Sequence, residues 1–77
     1  MKKEDFIEKI IDALEIEEKV ISEETNLKEL EEYDSISILS LIAMIDKYFK
    51  KQLTGVEFSS INTIKDLMNL VGREHFE

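Results

Sequence analysis

The chain of 77 residues contains no cysteine, no proline and no tryptophan, and only two glycines. Without cysteine it can form neither a disulfide nor a thiolate of its own, so any thiol chemistry has to come from an added group. This absence fits a reducing compartment. The single histidine, His75, lies near the end of the chain, and the two glycines are isolated. The sequence therefore offers no catalytic dyad, no histidine-based metal site and no glycine-rich phosphate loop.

Long hydrophobic runs are also missing. No stretch approaches the roughly 18 apolar residues that a membrane-spanning helix needs, and the charged residues 1–5 lack the apolar run of a signal peptide. We therefore expect a cytoplasmic protein with no membrane association. A chain of this length forms a single domain, residues 1–77, and buries only roughly 60% of its unfolded surface. It has no room for an enclosed active site, so we do not expect an enzyme.

Positive charge is scarce in the first half of the chain. The 18 acids and 10 lysines and arginines give a net charge of −8. Residues 1–34 contain 13 acids and 5 bases, whereas residues 35–77 contain 5 of each, so all the excess negative charge precedes Ser35. Such a surface repels the phosphates of nucleic acid and favours partners with Lys/Arg patches.

The spacing of apolar residues predicts an all-α fold, a small four-helix bundle with three main helices and one short helix. We expect helices at about residues 3–14, 35–51, 56–60 and 63–71. Capping-box patterns begin at Asn26, where a short turn is expected, and at Thr63. Gly55 and Gly72 are expected where helices break or end. The apolar face of the first helix contains Phe6, Ile7, Ile10, Ile11 and Leu14.

A long first loop, residues 15–34, connects the first two main helices. Five apolar side chains are expected to hold it on the core: Ile16, Val20, Ile21, Leu27 and Leu30. Phe58, in the short helix, is expected to point inward. In the second helix a helical wheel predicts a buried arc made of Ile38, Leu41, Ile42, Ile45 and Phe49. The opposite face contains Ile36, Ser40, Ala43, Met44 and Lys47.

The most informative stretch is Asp34-Ser35-Ile36, at the start of the second helix. The eleven residues from Ser35 to Ile45 carry no charge. A serine here has its hydroxyl near the unpaired N–H groups and the positive dipole end of the helix, where an attached phosphate is favoured. Asp and Ser are also ordinary helix N-caps, so the tripeptide alone fits a capping role as well as a modification site.

The order of the elements adds a resemblance. Five features follow one another along the chain: a leading amphipathic helix, an acidic loop, Asp34-Ser35-Ile36, an apolar second helix, and Ile61-Asn62-Thr63-Ile64 before the last helix. Together, from Phe6 to Gly72, they resemble the acyl carrier protein family. Leu39, Leu41, Ile42, Ile45 and Phe49 fall where that family has apolar residues.

The resemblance implies a covalent 4′-phosphopantetheine on Ser35, flanked by Asp34 and Ile36. The arm would hold acyl groups as thioesters, and the carrier itself would catalyse nothing. Implied partners are a phosphopantetheinyl transferase and acyl-loading, acyl-transfer or condensing enzymes with basic and apolar docking patches. A monomer is expected. Docking is expected at the exposed face of the second helix and at two loop acids: Ile36, Ser40, Ala43, Met44, Lys47, Glu31 and Glu32.

Two departures from the family pattern point to a specialised pathway rather than housekeeping fatty-acid synthesis. Glu32 and Tyr33 stand where housekeeping carriers usually have glycine. The exposed face of the second helix shows Ser37, Ser40 and Lys47, where those carriers have several acids. Partners that contact an acidic second helix through Arg or Lys would bind this face less well. The acids of the loop would then provide the electrostatic attraction of the partner.

Two alternatives stay open at the level of the sequence. The first is an aminoacyl carrier, such as a D-alanyl carrier protein, which uses the same arm for a different cargo. The second is a helical interaction module without any arm. In that case Ser35 is only a helix cap, and Ile36 and Met44 bind a partner helix.

Overall fold

In the computed structural model, which describes residues 1–16 and 21–76, the chain forms four α-helices. They are α1 (Lys3–Leu14), α2 (Ser35–Phe49), α3 (Gly55–Ser59) and α4 (Ile64–Val71). Two short 3₁₀ turns cover Leu27–Glu29 and Arg73–His75. The described residues contain no strand, only an isolated bridge between Asn26 and Thr63. The predicted all-α four-helix fold is confirmed.

The ends of the helices follow from local capping. Lys50 adopts a left-handed conformation with φ of 57° and donates its N–H to Asp46 O at 3.0 Å, so α2 ends at Phe49 rather than at Lys51. Thr54 and Glu57 form a capping box, which makes Gly55 the first residue of α3 instead of the break expected there. The predicted box of Thr63 and Asp66 opens α4.

The core is built from all four helices and from the first loop. Phe6, Ile10 and Leu14 are buried along α1, while Ile7 and Ile11 on the same side are half-buried. Phe58 is fully buried, as predicted. The remaining buried apolar residues are Ile16, Leu27, Leu41, Ile45, Leu53, Ile61, Ile64, Leu67, Met68 and Val71.

The described part of the long loop is fixed to the start of α4 by backbone hydrogen bonds. The N–H of Leu27 donates to Asn62 O at 2.7 Å, and the N–H of Ile64 donates to Thr25 O at 3.2 Å. The expected short turn does begin after Asn26, but the Asn26 side chain accepts from the N–H of Lys28 and forms no box with Glu29, so the capping box predicted there is wrong. The 3₁₀ geometry brings Lys28, not Glu29, within reach of the Asn26 side chain.

Apolar loop residues support the same attachment. Ile16 and Leu27 are buried, and Ile21 and Leu30 pack partly against the core. Val20, which was predicted to do the same, lies outside the described residues. These contacts hold the loop against the core just before residues 30–34, which lead into α2.

Aromatic rings pack together at the end of the bundle where α2 ends. Phe6 contacts Phe49 and Phe76 with ring centroids 5.7 and 4.9 Å apart, and the N-terminal ammonium group donates to His75 O at 2.7 Å. The segment after α4 is thus packed, although the sequence indicated only a tail. Gly72, with φ of 123°, makes the reversal that ends α4. No helix in the described part of the chain is long and apolar enough to cross a membrane.

Candidate functional site

Asp34 caps helix α2 and fixes the turn before it. Its Oδ1 accepts the N–H of Ser37 at 2.8 Å, and the Oγ of Ser37 accepts the N–H of Asp34 at 2.7 Å. The Ser37 hydroxyl also donates to Asp34 O at 2.8 Å. The carboxylate therefore lies at the positive end of the helix dipole, and the first turn is held from both sides.

The two serines of this turn differ in what they can do. Ser37 is only 6% exposed, and its hydroxyl is fully engaged in the capping box. The prediction that Ser37 is part of the exposed face is wrong, because the cap turns its hydroxyl toward the backbone. Ser35, the first residue of the helix, is exposed, and its hydroxyl has no hydrogen-bond partner among the described residues. Of these two, only Ser35 is presented for covalent chemistry.

The backbone at the start of α2 leaves two donors unused. Asp34 accepts the N–H of Ser37 through its side chain and that of Ile38 through its carbonyl, at 2.9 Å. Within the described part of the chain, the N–H groups of Ser35 and Ile36 have no acceptor. Free amides at a helix N-terminus attract phosphate oxygens. The turn can thus accommodate an anion attached to Ser35.

Exposed apolar side chains lie beside Ser35. Ile36 is 73% exposed and Leu39 is 65% exposed, and a spacing of three residues puts them next to each other on the helix. Ile36 was predicted at this surface. Leu39 was missed as a docking residue, although the helical wheel places it nearer to Ile36 than to the centre of the buried arc.

The rest of the predicted docking face is more varied. Ala43 and Lys47 are exposed, whereas Ser40 is half-buried. Met44 is also half-buried and packs against the core, so its assignment to the solvent face is wrong. The reason is that α1 packs beside this part of α2. The two helices form a groove, which is lined by Met44 of α2 and Ala13 of α1.

Charge around the site comes from the end of the loop. Glu31 is exposed and Glu32 is half-buried, and neither has a lysine or arginine within 4.0 Å in the described ranges. The nearest loop cation in sequence, Lys28, donates instead to Ser59 O at 2.8 Å. The acids before Ser35 therefore keep their negative charge available to a partner. Residues 1–16 and 21–76 contain no group of three or more His, Cys, Asp or Glu that could hold a metal ion.

Tyr33 lies directly before the cap. Its ring packs against the core, and its hydroxyl oxygen is enclosed without a hydrogen-bond partner among the residues described. Burial raises the pKa of Tyr33 above its ordinary value of 10.0. Nothing in the sequence indicated this burial, since Tyr33 was notable there only for standing where housekeeping carriers usually have glycine.

Comparison with known proteins adds one positive finding. A family model described as "Phosphopantetheine attachment site" matches residues 4–71, which is most of the chain. No curated protein and no solved structure matches the chain significantly.

Proposed function

The chain belongs to the phosphopantetheine-attachment family, and we propose that Ser35 is the residue that bears its arm. Domains of this family receive 4′-phosphopantetheine covalently from a phosphopantetheinyl transferase and interact with partner enzymes. The observation that supports Ser35 is the contrast within one helical turn. Its hydroxyl is exposed and has no hydrogen-bond partner in residues 1–16 and 21–76, whereas that of Ser37 is buried and bonded at 2.7 and 2.8 Å.

The residues present fit such a group. An attached phosphodiester gains from the positive dipole end of α2 and from the unused N–H groups of Ser35 and Ile36. Asp34 is already committed to the cap, so the turn needs no rearrangement to expose Ser35. When bound, the group supplies the terminal thiol that a chain without cysteine lacks.

As the function of the whole chain we propose that of an acyl carrier, which presents acyl groups to partner enzymes and has no catalytic activity of its own. The exposed side chains of Ile36 and Leu39 offer an apolar contact directly beside the attachment residue. Glu31 and Glu32 offer negative charge on the approach to it. A partner that matches this surface has an apolar pocket with a basic rim.

The distribution of charge supports a specialised pathway. After Ser35, the first acid of α2 is Asp46, so the helix surface near the attachment residue is apolar and neutral. Electrostatic steering then comes from the loop, and close contact comes from Ile36 and Leu39. Loading the arm-bearing protein with a fatty-acyl ligase and, separately, with an aminoacyl-adenylating ligase distinguishes an acyl cargo from the aminoacyl alternative.

The attachment residue is tested by intact mass after incubation with coenzyme A and a phosphopantetheinyl transferase. The wild type and Ser37→Ala are expected to gain the mass of one arm, and Ser35→Ala is expected to gain none. Ser37→Ala is the matched control, since it loses part of the cap at a cost of about 1 kcal/mol but keeps Ser35. Modification of Ser35→Ala to the same extent as the wild type rules Ser35 out.

The docking surface is tested with the transferase as the partner. We expect Ile36→Glu and Leu39→Glu each to lower kcat/KM for modification by about tenfold or more, because each removes an apolar anchor and adds a charge. Val56→Glu is the matched control, since Val56 is 79% exposed but belongs to α3. An equal loss of kcat/KM in all three variants would mean that added charge, and not this surface, is responsible.

A further inference from the structure

A cavity of about 220 Å³ lies at the end of the bundle opposite Ser35. Helix α2 carries the chain roughly 22 Å from Ser35 to Phe49, whose ring packs against Phe76 with centroids 5.5 Å apart. Phe76 is one wall of the cavity. This space is therefore separate from the attachment turn and from the apolar surface beside it. We call it the basic cavity because of the side chains that line it.

Three cations from three separate parts of the chain line the basic cavity: Lys3 of α1, Lys65 of α4 and Arg73 of the last turn. The lining contains a single acid, Glu23, whose Oε2 lies 3.4 Å from Lys3 Nζ. Neither Lys65 nor Arg73 lies within 4.0 Å of an acid in residues 1–16 and 21–76. Three of the ten lysines and arginines thus converge here, on a chain whose net charge is −8.

Helix electrostatics account for only part of this convergence. Arg73 follows the C-terminal end of α4, where a cation is favoured. Lys65 is the second residue of the same helix, at the positive end of the dipole, where a cation is disfavoured. Lys3 stands at the equally unfavourable start of α1. Two of the three cations are therefore placed against their own helix dipoles. Glu23 already pairs with Lys3, whereas a bound anion would relieve the unfavourable position of Lys65.

The apolar part of the lining is packed before anything binds, whereas Lys65, Asn69 and Arg73 are exposed. Met68 is only 3% exposed, and Phe76 is held by an edge contact with Phe6 at 4.9 Å. The backbone N–H of Lys65 donates to Glu23 O at 2.9 Å, which ties the loop wall to α4. This packed part of the lining and the backbone bond between the loop and α4 reduce the ordering cost of binding.

We propose that the basic cavity binds a small molecule bearing a diphosphate group. The Arg73 guanidinium offers the forked pair of donors that suits phosphate, and the two lysines and the Asn69 amide add further donors. The volume holds several water molecules and so exceeds the need of a single phosphate. This binding does not depend on Ser35.

The test uses inorganic pyrophosphate in metal-free buffer, with chloride at matched ionic strength as the reference. Saturable shifts of the backbone amide signals of Lys65, Asn69 and Arg73 are expected in the wild type, with a rise in Tm. Lys65→Gln and Arg73→Gln are each expected to weaken binding roughly tenfold. Lys51→Gln, which removes the same charge from an exposed site outside the cavity, is expected to leave the Kd unchanged.

Two further variants sharpen the result. Glu23→Gln removes the one acid of the lining and is expected to tighten binding severalfold, whereas Ser35→Ala is expected to bind as the wild type does. Equal weakening in Lys51→Gln and Arg73→Gln reduces the effect to net charge and overturns the proposal. So does orthophosphate binding as tightly as pyrophosphate, or the absence of saturable shifts in a wild-type protein that is folded.

Discussion

Replacing Tyr33 with phenylalanine should stabilise the protein. The ring of Tyr33 packs against the core just before the cap of α2, and its enclosed hydroxyl oxygen has no partner in the described part of the chain. A buried polar group without a hydrogen bond costs about 1–3 kcal/mol. Phenylalanine keeps the ring and removes the group that is left unsatisfied.

The expected gain in the free energy of unfolding is about 1 kcal/mol at neutral pH. For a domain of this size each kcal/mol raises Tm by roughly 4–8 °C. The gain should widen in alkali. Because burial raises the pKa of Tyr33, the unfolded chain loses this proton at a lower pH than the folded one, and wild-type stability falls as pH rises above 10.0. Tyr33→Phe has no hydroxyl to ionise at this position, so its free energy of unfolding should not show this fall.

Urea denaturation followed by circular dichroism at pH 7 and at about pH 10.5 measures both effects. Tyr48→Phe is the matched control, since Tyr48 is 44% exposed and its replacement should change stability by less than about 0.5 kcal/mol. If Tyr33→Phe is less stable than the wild type, or changes no more than Tyr48→Phe, the hydroxyl is satisfied and the reasoning is refuted.

Two further predictions concern charge. The pKa of Asp66 is lowered from 3.8, first by the backbone N–H of Asn62 and then by that of Thr63. Its carboxylate therefore stabilises the fold at pH values above the unfolded-state pKa. This contribution is lost as the pH falls through the lowered folded-state pKa. The stability difference between wild type and Asp66→Asn in urea should therefore be present at pH 7 and shrink below pH 3.8; a constant difference contradicts this. The 13 acids of residues 1–34 repel one another in the compact state, so added sodium chloride should raise Tm, and a Tm independent of ionic strength counts against that account.

The fold was predictable from the sequence where local signals determine it. The 3.6-residue spacing of Phe6, Ile10 and Leu14 marks a buried helical face, and the pair Thr63 and Asp66 marks a helix start, because both depend on residues within one or two turns. The last residue of α2 was harder to predict from the sequence. A left-handed Lys50 has no signature comparable to the glycine usually found there.

The start of α2, with the proposed attachment residue, was predictable in part. Asp34 and Ser35 stand in a recognisable pattern, but the burial of Ser37 depends on which hydroxyl completes the cap. The half-burial of Met44 depends on how α1 packs beside α2, which no helical wheel of α2 alone contains. The basic cavity was invisible for the same reason, since Lys3, Lys65 and Arg73 meet only through the tertiary fold.

The central claim is that Ser35, and no neighbouring serine, bears the arm. Trypsin cleaves after Lys28 and Lys47, and the resulting peptide 29–47 contains three serines: Ser35, Ser37 and Ser40. Tandem mass spectrometry of this peptide from the transferase-treated protein assigns the added mass to one of them. Fragments that place the whole increment on Ser35 are the predicted result. An increment on Ser37 or Ser40 would contradict the account.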